Sequence, residues 1–438
     1  MKRIFLIAAA FLFQLPLQAQ QDSVTLELAV ATALQNNYDI RLSQNDSMVA
    51  AINYEYRNSA FLPTLNASAT LLANNNSQNA TLADGRKRTG SGIRSNNLNS
   101  SLAMNWVVFD GFRMFVLRDQ LGKYLELGSL TVKNQVVNTM AEVITTYYDI
   151  VRQKQQLRNI EEQMALSQER LKLAEYKFEV GAGIKPDILQ ARIDFNARRA
   201  EQVNQLALID QRKQSLNRLM NVPQTLNYKV SDTIPVQMNL ALGDMIQGLE
   251  GSSPAILLAE KNIDVAQLGV KEAKAARYPT VAVTGAYNFS QLNNSTVINP
   301  AQALSTLNRG FNYGLTASIP IFNNYNVRRN IRQSELAVRF QRLNYENQQQ
   351  EVNTNILNTF KDYTAQKEIM ALADSTIDLA RENLHIVRER YRQGVTTFIE
   401  MREAEQSLGN SETVRINARY NIKVAETELL RLKGDLVK

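Results

Sequence analysis

The chain has 438 residues, no cysteine, a single histidine (His385) and a formal charge of +7. That inventory excludes disulfides, thiolate metal sites, Cys–His dyads and Cys/His metal clusters, and it offers no constellation for hydrolysis, so neither an enzyme nor a resident cofactor or metal is expected. The basic excess has no localised basic face interleaved with aromatics; it reads as a solvated mixed-sign surface, not a nucleic-acid footprint.

Lys2 and Arg3 precede an apolar run, 4–13, and Leu17-Gln18-Ala19 supplies a cleavage site. Residues 1–19 are predicted to be a secretory signal. Removing Lys2 and Arg3 leaves 47 basic against 42 acidic residues, a charge of +5. No later apolar run reaches the ~18 residues of a transmembrane helix.

A first repeat is read over 20–220. Leu26, Leu28, Val30, Ala33 and Leu34 give an apolar side to a helix over 24–60, capped by Asp22 or Ser23 and ended by Pro63. The period then becomes two. Leu65, Ala67, Ala69 and Leu71 alternate with Thr and Asn in a strand over 64–73, and Leu102, Met104, Trp106 and Val108 do so over 98–109. Residues 74–97 between them, rich in Asn, Ser, Gly and Thr and carrying Arg86-Lys87-Arg88, are predicted to be a long polar loop, solvated or touching anionic surface glycolipid.

A long helix is predicted over 112–180. Val143, Ile150, Leu157, Met164, Leu171 and Phe178 recur every seven residues, with Val136, Met140 and Tyr147 on the same seam and Lys154, Glu161, Gln168 and Glu175 interrupting it. Such a repeat keeps one stripe on a partner helix and imposes a left-handed supercoil. Charge alternates along it, as in Gln168-Glu169-Arg170, which suits exposed coiled-coil faces. Gly181-x-Gly183 lacks the later glycine and preceding strand of a dinucleotide loop. It reads as a turn, and Pro186 starts a helix over 187–220.

Residues 221–238, with Pro223 and Pro235, read as a joint. A second repeat, 239–438, then restates the first: helix 239–277, strands 280–290 and 310–322 around a polar loop 291–309, long helix 324–392 and helix 398–432. Adding 213 to the seam positions gives Ile356, Tyr363, Met370, Ile377, Leu384 and Tyr391; Lys154 maps onto Lys367, Phe109 onto Phe322, and His385 onto Lys172 of a helix surface. Each long helix would run ~100 Å and each shorter one ~55 Å, so two short helices end to end match a long one, as in a helical tube.

The non-apolar face of all four strands is small and uncharged, which fits a watery lumen, with the other face toward lipid. Trp106, Phe109, Phe112 and Phe115, with Phe322 and Tyr325, gather at one end; Tyr287, Phe289, Phe311 and Tyr313 lie toward the loops, as membrane-interface girdles do. The competing reading is an ordinary half-buried sheet in a soluble periplasmic coiled-coil scaffold. Four strands cannot close a barrel, and open edges are not tolerated in lipid, so a barrel-forming chain must assemble.

Two further segments carry a resemblance. Phe178-Glu-Val-Gly181 leads to Asp187-Ile-Leu189-Gln-Ala191, and Tyr391-Arg-Gln-Gly394 leads to Glu400-Met-Arg-Glu403-Ala404. With the duplicated element order, the chain resembles the TolC-type outer-membrane efflux factors. The resemblance implies a homotrimer with a twelve-stranded barrel in outer-membrane lipid and an α-helical tunnel in the periplasm. It also implies docking to a periplasmic adaptor and an inner-membrane transporter of the RND or ABC kind. It places the tunnel constriction at Glu403 and Glu400, with Asp187 as the first-repeat acid, and the hairpin turns and adaptor contacts at Phe178, Gly181, Gly183, Tyr391, Gly394 and Thr396. Some members hold the tunnel shut with an arginine where this chain has Thr396, whose first-repeat counterpart is Gly183. Helix ends offer another account of two acids, since Thr397-x-x-Glu400 is a capping box and Asp187 follows Pro186 at a helix start.

Overall fold

The computed structural model describes residues 23–298 and 302–436; the predicted signal segment 1–19 lies outside them. Its helices are α1 (Leu26–Asn36), α2 (Tyr38–Glu55), α3 (Arg113–Glu179), α4 (Lys185–Met220), α5 (Leu242–Ile246), α6 (Leu249–Ser252), α7 (Pro254–Ala275), α8 (Asn326–Arg392) and α9 (Phe398–Lys433). Its strands are β1 (Thr64–Thr81), β2 (Lys87–Asp110), β3 (Thr280–Asn294) and β4 (Ser305–Ser318).

Several boundaries differ from those read in the sequence. The helix expected over 24–60 is two helices, because Asn37 caps the second: its Oδ1 accepts from the N–H groups of Asp39 (2.9 Å) and Ile40 (3.2 Å). The first helix is capped by Thr25, whose Oγ1 accepts from Leu28 N, and not by Ser23; Asp22, the other expected cap, lies outside the described residues. The helix expected over 239–277 is three pieces. Gly248 takes a left-handed φ of 77°, and Pro254 opens α7 after the extended Ser253. β4 stops at Ser318, short of 322, two residues before Pro320, which has no N–H for a ladder.

The loop expected over 74–97 is largely strand. Asn74↔Ser95 through Thr81↔Lys87 continue the β1–β2 ladder past a register shift between Asn76 and Gln78, leaving a tight turn at 82–86 with Gly85 at φ 82°. Asn, Ser and Gly score poorly as strand formers, but the neighbouring ladder overrides that weak preference.

Two compact units divide the chain. The first holds the residues up to Asp46, Ser129–Leu258 and those from Tyr345 on. One core joins Ala29 and Ala33 of α1, Val143, Tyr147 and Ile150 of α3, and Leu216 and Leu219 of α4. The joint lies on it: Tyr228, Val230 and Ile234 are buried, and the Tyr147 hydroxyl donates to Val24 O (3.0 Å) and accepts from Ser231 N (3.1 Å). Val352 and Ile356 of α8 pack with Leu429 and Leu432 of α9 in a second core.

The seven-residue seams behave differently in the two long helices. On α8, Ile356, Tyr363, Ile377, Leu384 and Tyr391 are buried, as the repeat predicts, and Met370 alone of the seam is half-buried. On α3 the seam holds at Val143 and Ile150 and then fails: Leu157, Met164 and Leu171 are only half-buried and Phe178 is exposed. The buried line instead passes through Asn159, Gln163, Ser167, Arg170 and Ala174. Asn159 to Arg170 and Gln163 to Ala174 are eleven-residue steps, so this part of α3 keeps close to 3.6 residues per turn and drifts off the heptad. Arg170, expected on an exposed face, is only 2% exposed.

The second unit holds Ser47–Gly128 and Ala259–Asn344. Its sheet is antiparallel in the order β1-β2-β3-β4, so β1 and β4 each have one unpaired edge. Each sheet half leads into its long helix through a left-handed turn at positions 213 apart: Gly111 and Phe112 have φ 73° and 72°, and Asn324 and Tyr325 have φ 52° and 59°. Such angles suit glycine and are tolerated by asparagine.

Candidate functional site

The sheet presents two faces of opposite chemistry. Cross-strand partners share a face, so the register groups Leu65, Met104, Gly285 and Tyr313 in one row and Ala67, Leu102, Tyr287 and Phe311 in the next. Trp106, Val283 and Leu315 form a third row, and Ala69, Ser100, Phe289 and Arg309 a fourth. A bulge between Val107 and Phe109 removes Val108 from the ladder and pairs Phe109 with Val281, which keeps Phe109 on the face of Trp106. Apart from Ser100 and Arg309 in the fourth row, toward the loops, this face is apolar, and it is exposed, with Tyr313 84% accessible. Phe322 lies past the end of β4 and meets Tyr325 edge-on at 5.6 Å.

The other face is polar, and uncharged but for Asp110, which pairs with Thr280 at its end. Its rows are Thr64, Asn105, Thr284 and Gly314, then Asn66, Ala103, Ala286 and Asn312, then Ser68, Ser101, Asn288 and Gly310. Ser68 Oγ and Ser101 Oγ lie 3.0 Å apart, and Asn288 Nδ2 donates to Asn312 Oδ1 at 3.2 Å. An exposed large apolar face opposite a polar one is what a lipid–water boundary requires of a strand.

In the first unit, the α3–α4 and α8–α9 turns come together. Gly181 and Gly394 take left-handed φ values of 76° and 79° at matching helix ends. The following residues close the helices, with Ala182 N donating to Lys177 O (2.8 Å) and Val395 N to Arg390 O (2.9 Å). A Cβ on Gly183 would stand 2.9 Å from Phe178 N, so no larger side chain fits there without a backbone shift. Its counterpart Thr396 donates to the Glu400 carboxylate, while Thr397 Oγ1 accepts from Glu400 N at 3.2 Å. Glu400 is thus engaged at the start of α9, but only half of the capping box forms, since its carboxylate takes the Thr396 hydroxyl and not the Thr397 N–H. Glu403, one turn on, is exposed and has no hydrogen-bond or ion-pair partner among the described residues.

The two aromatics of the turn motif part ways. Tyr391 is 4% exposed, packed with Ala191, Phe398 and Met401, whereas Phe178 is 46% exposed. Asp187 is half-buried in the first turn of α4. Its charge reaches both Tyr391, whose hydroxyl is pushed up chiefly by burial, and Lys177.

Sequence reasoning missed two residues here. Lys177 of α3 sits over the Tyr391 ring, 3.8 Å from its centroid, and donates to Tyr391 O, joining the two turns; burial pushes its ammonium below the ordinary range, opposed by Asp187. Arg170 meets Asp194 of α4 at 2.8 Å and Glu405 of α9 at 3.0 Å, with its guanidinium 5.0 Å from the Phe398 ring centroid.

Residues 29–222 and 245–435 match the family model for outer membrane efflux proteins. The outer membrane efflux protein BepC of Brucella suis biovar 1 (strain 1330) is 23% identical over 440 residues, 98% of this chain and 90% of its own. The outer membrane protein TolC of Escherichia coli (strain K12) is 21% identical over 417 residues, 92% and 80% of the two chains. Among solved structures, the outer-membrane channel OprN aligns with a TM-score of 0.79 at 19% identity, over 93% of this chain and 89% of its own. CusC aligns at 0.75 and 17% identity, over 93% and 92%. The fold is the one these channels share: strands that contribute to a β-barrel, and long helices that contribute to a tunnel.

Proposed function

Because this chain belongs to the outer membrane efflux protein family, and so to the outer membrane, we propose that it is the passive duct of a tripartite efflux pump or a type I secretion system. Three copies, at four strands each, close a twelve-stranded barrel, and their long helices form a helical tunnel. One observation carries this reading: a four-stranded sheet with two unpaired edges, an exposed apolar face and an uncharged polar face. Lipid tolerates no open edge, and small outer-membrane barrels begin at about eight strands, so neighbouring copies must supply the missing pairings. The soluble-scaffold reading leaves that exposed face without a solvent.

The turns at Phe178, Gly181, Gly183, Gly394 and Thr396 are the surface offered to a periplasmic adaptor, whereas Tyr391, expected among these contacts, is buried beneath them. The adaptor links the duct to an inner-membrane transporter of the RND or ABC kind. Glu403, with Glu400 and Asp187, lines the constriction. Three chains bring several carboxylates toward one axis, which favours cations and repels anions. In planar bilayers Glu403→Ala is therefore expected to lower cation preference while leaving a conducting channel. Unchanged selectivity removes Glu403 from the constriction.

A further inference from the structure

We propose that the outer margin of the sheet's apolar face holds the anionic head of an outer-leaflet glycolipid, with Arg309 on a phosphate at the hydrocarbon boundary and Arg94 on an acidic group farther out. This rests on the barrel of the duct reading and adds which lipid the barrel binds. The register puts both arginines on the face of Tyr313. Arg309 pairs with Phe289 and, through it, with Ser100 and Ala69; Arg94 pairs with Asn75, two rows beyond Leu71 and Leu98. Both are exposed, and from the inner end of the sheet to the register shift at Asn76 they are the only charged residues on that face. Leu307 and Phe311 flank Arg309 on the same side of β4, so a cation stands inside apolar surface.

The protein offers neither arginine a counterion. No hydrogen bond, ion pair or aromatic ring meets either guanidinium among the described residues. β1 and β3 contain no charged residue, and Asp110, the one acid in the four strands, lies on the other face at the opposite end. Closing the barrel changes nothing, because β4 then meets the β1 of the next copy, which carries no charge either. Asp84, in the turn beyond, already accepts from Arg86 Nε at 2.6 Å. The anion must therefore come from outside the chain. A guanidinium offers phosphate or carboxylate oxygens two parallel N–H groups, and anionic head groups attract arginines at the membrane surface.

Depth selects the lipid. Ser318, at the inner end of β4, pairs with Thr280, next to the Val281–Phe109 pair of the inner aromatic girdle. Strands of such barrels tilt by ~40° and cross an apolar band ~25 Å tall. At ~3.4 Å per residue, the nine residues from Ser318 to Arg309 climb ~23 Å, which brings Arg309 to the outer margin of that band. The fifteen residues from Phe109 to Arg94 climb ~39 Å, ~14 Å beyond the band. The head-group layer of a phospholipid leaflet is only ~5–7 Å deep. A phospholipid thus reaches Arg309 and not Arg94. A glycolipid with phosphates on its anchor sugars and acidic sugars above them reaches both.

The test is native mass spectrometry of the full-length protein released from mild detergent micelles, which reads the assembly mass and its lipid adducts together. The probes are deep-rough lipopolysaccharide, with phosphates on its anchor sugars and carboxylates above, and phosphatidylglycerol. Arg309→Ala and Arg94→Ala are each expected to lower the bound-to-free ratio for the lipopolysaccharide by ~10-fold, the worth of one charge-assisted contact. Arg309→Lys, which keeps the charge and loses the two-pronged donor, should fall between. Phosphatidylglycerol binding should respond to Arg309→Ala alone. Lipopolysaccharide binding that Arg309→Ala leaves unchanged overturns the site, and binding that only Arg94→Ala leaves unchanged overturns the glycolipid in favour of a phospholipid. Either result at three times the chain mass leaves the barrel standing. A single-chain mass overturns the barrel, and the site with it.

Discussion

A cysteine pair placed across the α3–α9 seam, Asn159→Cys with Thr413→Cys, is expected to shut conduction when oxidised and to restore it on reduction. The chain has no cysteine of its own, so the pair would be its only thiols. The native side chains touch, with Asn159 Nδ2 3.0 Å from Thr413 Oγ1, so a covalent link replaces an existing contact. A disulfide holds its two Cα atoms within roughly 4.4–6.8 Å, so the helices cannot separate there while it is oxidised. The reduced pair should still conduct, because it loses only the Asn159 hydrogen bonds to Thr413 Oγ1 and Gly409 O. A disulfide that forms quantitatively and leaves conductance unchanged means that the seam does not part.

The second large effect falls at the turn from β2 into α3. Gly111→Ala is expected to destabilise the chain by ~3 kcal/mol or more, near the exceptional end for a single substitution. Gly111 sits at φ 73°, and a Cβ there would stand 2.3 Å from Ala275 O and 2.9 Å from Tyr278 Cβ. The left-handed conformation alone costs an L-residue ~1–2 kcal/mol. The remainder comes from driving a backbone oxygen away from a buried position, since Ala275 is part of the core. The counterpart Asn324 provides the control. It holds φ 52° with a side chain already present, so Asn324→Gly should leave the midpoint close to wild type. Thermal or urea unfolding of the purified proteins measures both, and a Gly111→Ala variant that unfolds with the wild type refutes the steric account.

The duplication, the four strands and the long helices were legible because each rests on a sustained period. The heptad of α8 follows its buried face from Ile356 to Tyr391 with one half-buried position, Met370. The same arithmetic failed on α3 beyond Ile150. A seven-residue pattern of apolar types survives there in the sequence, but the helix turns at its own pitch and carries Leu157 and Met164 off the contact line. Polar residues took the buried positions, and composition does not distinguish a buried Arg170 from a solvated one. The hairpin over 74–97 was missed for a different reason. Its Asn- and Ser-rich strands owe their form to the ladder begun by their neighbours, which is not a local signal. Among the turn residues, Thr397-x-x-Glu400 and the two left-handed glycines were readable because capping chemistry is local. The knot of Arg170, Asp194 and Glu405 joins three helices far apart in sequence and could be found only in three dimensions.

The central claim is that no single chain closes its own sheet. It is tested most directly by the mass of the protein extracted from the outer membrane in mild detergent and measured by native mass spectrometry. Three times the chain mass is the predicted result, matching four strands per chain in a twelve-stranded barrel. A single-chain mass for protein that stays in solution without detergent would contradict it.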